Sequence, residues 1–163
     1  MDISIREYRE SDRAALELCI AELQAHIGAI DPLHKSRTGD DFDVRKYCDY
    51  TLQKVDALKG KIFMAEQDGK AAGCIIGVIT KPSELDQLEG YPSKDGKILE
   101  LIVLSQFRHK GLGVLLMQAL EKYFRTQECK NVLVDCFAPN VEAHEFYKKS
   151  GYADRMTVML KTL

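Results

Sequence analysis

"KILELIVLSQFRHKGLGVLLMQALEKYF", residues 97–124, carries three patterns in succession. Lys97 to Leu104 is a near-continuous apolar run, as expected of a strand buried on both faces. Leu112, Leu115, Leu116, Ala119, Leu120, Tyr123 and Phe124 then recur with the spacing of one helix face, a stripe that should pack on a sheet. Between them, "QFRHKGLG" sets Arg108, His109 and Lys110 beside Gly111 and Gly113. A strand that enters a helix through such a turn leaves backbone N–H groups free at the positive end of the helix dipole. Without a Cβ the glycine backbone can close on an oxyanion. The junction reads as a small phosphate-binding site.

Outward from this stretch the chain alternates strands and helices. "ISIREY" reads as a first strand, with Ser11 placed to cap a helix whose apolar face is Ala15, Cys19, Leu23 and Ile27. "HIGAIDPLHKSRTGDDFD" reads as a long loop, and Val44, Tyr47, Cys48, Thr51, Leu52, Val55 and Leu58 mark a second helix that stops near Gly60. "KIFMAEQ" and "AAGCIIGVI" are strands joined at "DGK" into a hairpin, and "KPSELDQLEGYPSKDG" is a loop with room for one helical turn. After the central helix come the strand "NVLVDCF", a helix over 141–149 capped by Asn140 and ended at Gly151, and a closing strand "YADRMTVML". This order predicts an α/β fold, a mixed sheet with helices on both faces.

With 163 residues, 45% of them hydrophobic, the chain is expected to form one domain over 1–163. A formal net charge of -2 and no long basic run argue against nucleic acid, and three basic residues without interleaved aromatics do not alter that. No apolar run approaches the roughly 18 residues a membrane span requires, and the N-terminus lacks a signal-like apolar core, which points to the cytoplasm. Five cysteines without a C-x-x-C pair read as reduced, mostly buried thiols, and His26, His34, His109 and His144 show no zinc-type spacing with them, so no metal is expected.

Two phosphate-binding motifs can be set aside. A dinucleotide turn would use Asp135 as its ribose acid, but Leu116 stands at the third glycine position, "SQFRHK" separates strand from glycines, and no repeated strand–helix series begins here. The G-x-x-x-x-G-K-[ST] pattern is absent. What is present is R-x-x-G-x-G at Arg108, Gly111 and Gly113, followed by "NVEAHEFYKKSGY" with Asn140, Ala143, Phe146, Tyr147, Gly151 and Tyr152. These two blocks resemble the GNAT superfamily of N-acetyltransferases over Lys97–Tyr152, about a third of the chain. The resemblance implies a central, mostly antiparallel sheet splayed between its fourth and fifth strands, with acetyl-coenzyme A wedged into the gap. Backbone groups of Ile102, Val103 and Leu104 would pair with the pantetheine arm. Arg108 and the N–H groups of His109, Lys110, Gly111, Leu112, Gly113 and Val114 would hold the pyrophosphate. Asn140 and Phe146 would flank the arm, and Tyr147 would both contact it and protonate the departing thiolate.

The implied reaction is attack of a neutral amine on a thioester. Because such amines are mostly protonated at neutral pH, a base is needed, and Glu100, which interrupts the apolar strand, is the candidate. Read structurally, Glu100 is an ion-pair partner and Tyr147 a core aromatic. The acceptor would be a small-molecule amine or a protein amine, and the resemblance also admits a homodimer. Loops 28–43 and 81–96 carry Asp31, Asp40, Asp41, Asp43, Glu84, Asp86, Glu89 and Asp95, an acidic excess that favours a cationic amine unless these are simply solvated charges. The rival reading is a non-catalytic acyl-coenzyme A sensor or interaction module with the same fold.

Overall fold

A computed structural model describes residues 2–163. Five strands, β1 (Ile3–Glu7), β2 (Lys61–Gln67), β3 (Lys70–Ile79), β4 (Asp95–Val103) and β5 (Asn131–Val134), lie in sequence order in one sheet. The first four pair antiparallel, and β5 runs parallel to β4. The β2–β3 hairpin turns at Asp68 and Gly69, both with positive φ, as a two-residue connection of this kind requires. Helices α1 (Arg13–Ile30) and α2 (Val44–Ala57) cover one face, and α4 (Leu112–Thr126) covers the other. A short α3 (Glu84–Glu89) lies before β4, and α5 (Val141–Lys149) follows β5.

The apolar stripes fill the core as their spacing dictates. Leu112, Leu116, Leu120 and Phe124 of α4 are fully buried, whereas Leu115, at the margin of the stripe, is exposed. On the opposite face Leu16, Cys19 and Ile20 of α1 and Cys48 of α2 meet Met64, Cys74 and Ile76. Burying each large aliphatic or aromatic side chain here is worth about 1.5–3 kcal/mol. All five cysteines are free thiols, and Cys19, Cys48 and Cys74 are buried. At Gly96 an added Cβ would lie 2.5 Å from the Phe124 ring. Gly96→Ala should therefore destabilise the protein by about 1–3 kcal/mol, the usual range for overpacking, read as a lower denaturation midpoint with an unchanged slope.

Four expectations change. Ser11 sits inside a 3-10 turn (Glu10–Asp12) and caps nothing, because Asp12, the N-cap of α1, spends its carboxylate on Arg6 and on the Arg9 N–H. Helix α1 runs on through His26 and Gly28 to Ile30, where a loop was expected. Gly28 allows this by leaving no Cβ to strike Thr38, whose Cγ2 would be 2.3 Å away. Strand β5 stops at Val134, short of Phe137. The closing strand "YADRMTVML" does not form: residues 152–163 have no regular structure, and Met156, Val158 and Met159 are exposed. Asp154, bound to His144 at 2.7 Å and Lys148 at 2.6 Å, fastens the start of this segment to α5. Four-residue β5 offers little ladder to compete. Gly151 has the expected left-handed φ of 91°, and the Tyr152 N–H reaches back to the Tyr147 carbonyl, closing α5.

Candidate active site

Strands β4 and β5 pair only between Asp95–Ile98 and Asn131–Val134. Beyond that point β4 continues to Val103 with no neighbour on its β5 side, so the sheet opens. The Leu104 N–H bonds to Ala72 of β3, and the Ile102 carbonyl lies against Gly73. Strand alternation then turns the N–H and C=O groups of Val103 and Leu101 to the open edge. Of Ile102, Val103 and Leu104, only Val103 presents its backbone there.

Past β4 the chain reaches α4 through His109 and Gly111, at φ 61° and 80°. Among the described residues, the N–H groups from His109 to Val114 have no protein acceptor. Six free donors at a helix N-terminus form a cradle for oxyanions. The space an added Gly111 Cβ would fill is empty, and Phe146 lies 3.3 Å from where a Gly113 Cβ would stand, so the second block packs on the first. Arg108 does not aim at the cradle. Its Nε donates to the Val103 carbonyl at 3.0 Å and its Nη2 lies 3.7 Å from Glu22, bracing the loop against β4 and α1. Asn140 accepts from the Ala143 N–H at 3.3 Å as the α5 cap, leaving its amide N–H groups unused.

Two cavities meet at the opening. The smaller, about 120 Å³, includes Leu23, Ile27, Leu101, Cys136, Asn140 and Tyr147 in its wall. The larger, about 420 Å³, lies under α2 and has Tyr47, Thr51, Lys54, Lys81 and Lys97 in its wall. Leu99, Glu100 and Asp135 line both. A bulge makes this possible: Ile76 faces Glu100 while Gly77 faces Ile98, so Leu99 is an extra residue. Lys97 and Glu100, three apart, therefore share the sheet face covered by α2, and Ile98 turns toward α4.

Two of the titratable groups at this junction, Glu100 and Tyr147, are shifted in the same direction. Burial raises the Glu100 carboxyl above its ordinary range, against the pull of the Tyr47 hydroxyl, which donates to it, and of Lys54. Burial also raises the Tyr147 phenol, so that it stays protonated, and among the described residues its hydroxyl has no hydrogen-bond partner. Phe146 and Tyr152 hold its ring at 5.6 and 5.8 Å.

Tyr47, Lys54, Asp135 and Cys136 were not among the expected site residues. Tyr47 had been read only as part of the α2 apolar face, and nothing local in the chain links it to Glu100. Four of the eight acidic residues in the two loops are engaged by the chain itself. Asp31 is wrapped by the N–H groups of Leu33, Lys35 and Ser36; Asp43 caps α2, Asp86 closes a capping box with Ser83, and Asp95 holds Asn131. Among the described residues no cluster of His, Cys, Asp or Glu could hold a metal ion, and no helix is long and apolar enough to cross a membrane.

Known proteins share this fold. The fold matches a mutant form of the BH1408 protein of Bacillus halodurans with a TM-score of 0.84 at 17% identity, covering 98% of this chain and 99% of that one. An uncharacterised N-acetyltransferase of Methanocaldococcus jannaschii is 32% identical over 94 residues, 57% of this chain and 53% of that protein. An N-alpha-acetyltransferase of Sulfurisphaera tokodaii is 29% identical over 107 residues, 64% of each. The chain spans about half the length of several curated relatives it matches. Residues 29–152, which include the parted strands, the N–H cradle and α5, match the Acetyltransferase (GNAT) family, and the chain belongs to that family.

Proposed function

We propose that this chain, acting as a single domain over 1–163, transfers an acetyl group from acetyl-coenzyme A to an amine by direct attack in a ternary complex. The observation that carries this reading is the meeting of the two cavities at Glu100, with the N–H cradle on the donor side. The site fits the donor: six free N–H groups suit a pyrophosphate, and the open backbone edge formed by Leu101 and the Val103 N–H suits an amide-bearing arm. Acetyl-coenzyme A supplies a thioester whose C–S bond breaks as the C–N bond forms.

The chain's own residues move the protons. Glu100, ionised, takes a proton from the incoming ammonium, and a raised carboxyl pKa makes it a better base than an exposed glutamate. Tyr47 holds that carboxylate in place. Tyr147 donates its phenolic proton toward the departing sulfur, and the Asn140 amide and the Phe146 ring steady the arm beside it.

Amine-dependent release of free thiol is the direct test. Acetyl-coenzyme A binding with no thiol release across an amine panel would instead identify a sensor. Tyr147→Phe should lower turnover roughly 30-fold with donor affinity retained. The loss stays below the full range for acid catalysis because a thiol with pKa near 8.5 leaves with little help. Steady-state kinetics and calorimetry on the same variant check both halves.

A further inference from the structure

The larger cavity carries uncommitted positive charge. Of its ionisable groups, Lys97 is bound to Asp135 at 2.6 Å and Glu100 accepts from Tyr47. Lys54 and Lys81 make no ion pair with any described residue. Lys54 stands two helical turns after Tyr47 on the same face of α2, about 10 Å along its axis. Lys81 follows the end of β3, and the Ile76–Glu100 pairing puts it on the far side of Lys97 from Glu100. Lys81 thus lies toward one end of the cavity and the base toward the other, with Lys54 between them and near enough for its charge to act on Glu100. Leu58 and Val78 supply apolar wall between them.

We propose that the acceptor is a small amine that also carries an anionic group, with its amine at Glu100 and its carboxylate or phosphate between Lys54 and Lys81. This rests on the acetyltransferase reading above. A charged end group is held by partners of opposite charge, and here the free partners are cations, Lys54 half-buried and Lys81 exposed. A cavity of about 420 Å³ is at the small-metabolite end of ligand sites. The anion should be several bonds from the amine, since Lys81 and the base lie at opposite ends.

The test compares amines that differ only at the far end: 5-aminovalerate, pentylamine and cadaverine, and glucosamine 6-phosphate against glucosamine. With thiol release as readout, kcat/KM should favour the anionic member of a series by about tenfold or more, carried mainly by KM. The first series reports a carboxylate and the second a phosphate. In Lys54→Gln/Lys81→Gln the preference should collapse toward one, and Lys54→Arg/Lys81→Arg should restore it. Equal use of all three linear amines together with no preference for the phosphate, a preference for cadaverine, or an unchanged preference in the glutamine variant would overturn the proposal. If no amine releases thiol, the transferase reading has failed, and the anion site is judged by calorimetry of the same amines on the coenzyme A-loaded protein. Equal binding of anionic and neutral members then overturns it.

Discussion

Replacing Gly111 with glutamate should weaken acetyl-coenzyme A binding by about a hundredfold or more, or about 2.7 kcal/mol. Two effects act. The residue has φ 80°, where a side chain costs about 1–2 kcal/mol relative to glycine, and the unliganded loop escapes that cost by leaving the binding geometry. The new carboxylate also stands at the cradle, where its charge opposes the pyrophosphate. Steric blocking of the core is not involved, since nothing lies within 4 Å of the added Cβ, so the variant should fold. Gly111→Asn is the informative companion, because asparagine tolerates the left-handed region and brings no charge. It should retain most of the affinity. Calorimetry that finds wild-type binding in Gly111→Glu would place the pyrophosphate elsewhere.

Glu100→Gln should lower turnover at pH 7 by about a thousandfold. An amine with pKa near 10.4 is neutral in only about one molecule in two thousand at that pH, and the variant has no carboxylate to remove the proton. Activity of the variant should climb as pH approaches the amine pKa, whereas the wild type reaches its plateau once the raised Glu100 carboxyl has ionised. Stability moves the other way. Because the folded pKa lies above the unfolded value near 4.3, the folded state favours the neutral acid. That advantage is complete below the unfolded pKa and is lost as pH rises through the folded one. At pH 7 the ionised, half-buried group destabilises the fold, so Glu100→Gln should be the more stable protein there, with the difference gone below about pH 4. Denaturation at both pH values checks the sign, and a variant less stable at pH 7 would refute this account.

How much of this could be read from the chain depended on whether the governing interaction was local. Arg108, Gly111, Gly113 and the Asn140 to Tyr152 block lie in contiguous motifs, and the turn, the caps at Asn140 and Gly151 and the α4 stripe follow from neighbours a few residues away. The bulge at Leu99 has no such signal. It belongs to the pairing of β4 with β3, and the register of two strands cannot be seen in either alone. Tyr47 escaped notice for the same reason, since its partner is 53 residues away. The motif names Arg108 for the pyrophosphate, and the contact of its Nε with the Val103 carbonyl is one that no motif encodes. The closing segment is a different case: a strand-like pattern of Met156, Val158 and Leu160 stays unpaired because alternation cannot supply a neighbour to pair with.

The extra residue at Leu99 makes this site depend on strand register as well as on side-chain chemistry. Lys97 and Glu100 share a face only because the ladder skips Leu99, pairing Ile76 with Glu100 and Gly77 with Ile98. Drawn into regular pairing, Leu99 would put these residues, three apart, on opposite faces, and one charge would be driven toward α4 and the Phe124 side of the sheet. Deleting Leu99 would instead leave the two charges two apart and still on one face. A relative could align without a gap, keep its lysine and its glutamate, and still have no acceptor site of this kind if its ladder ran straight through.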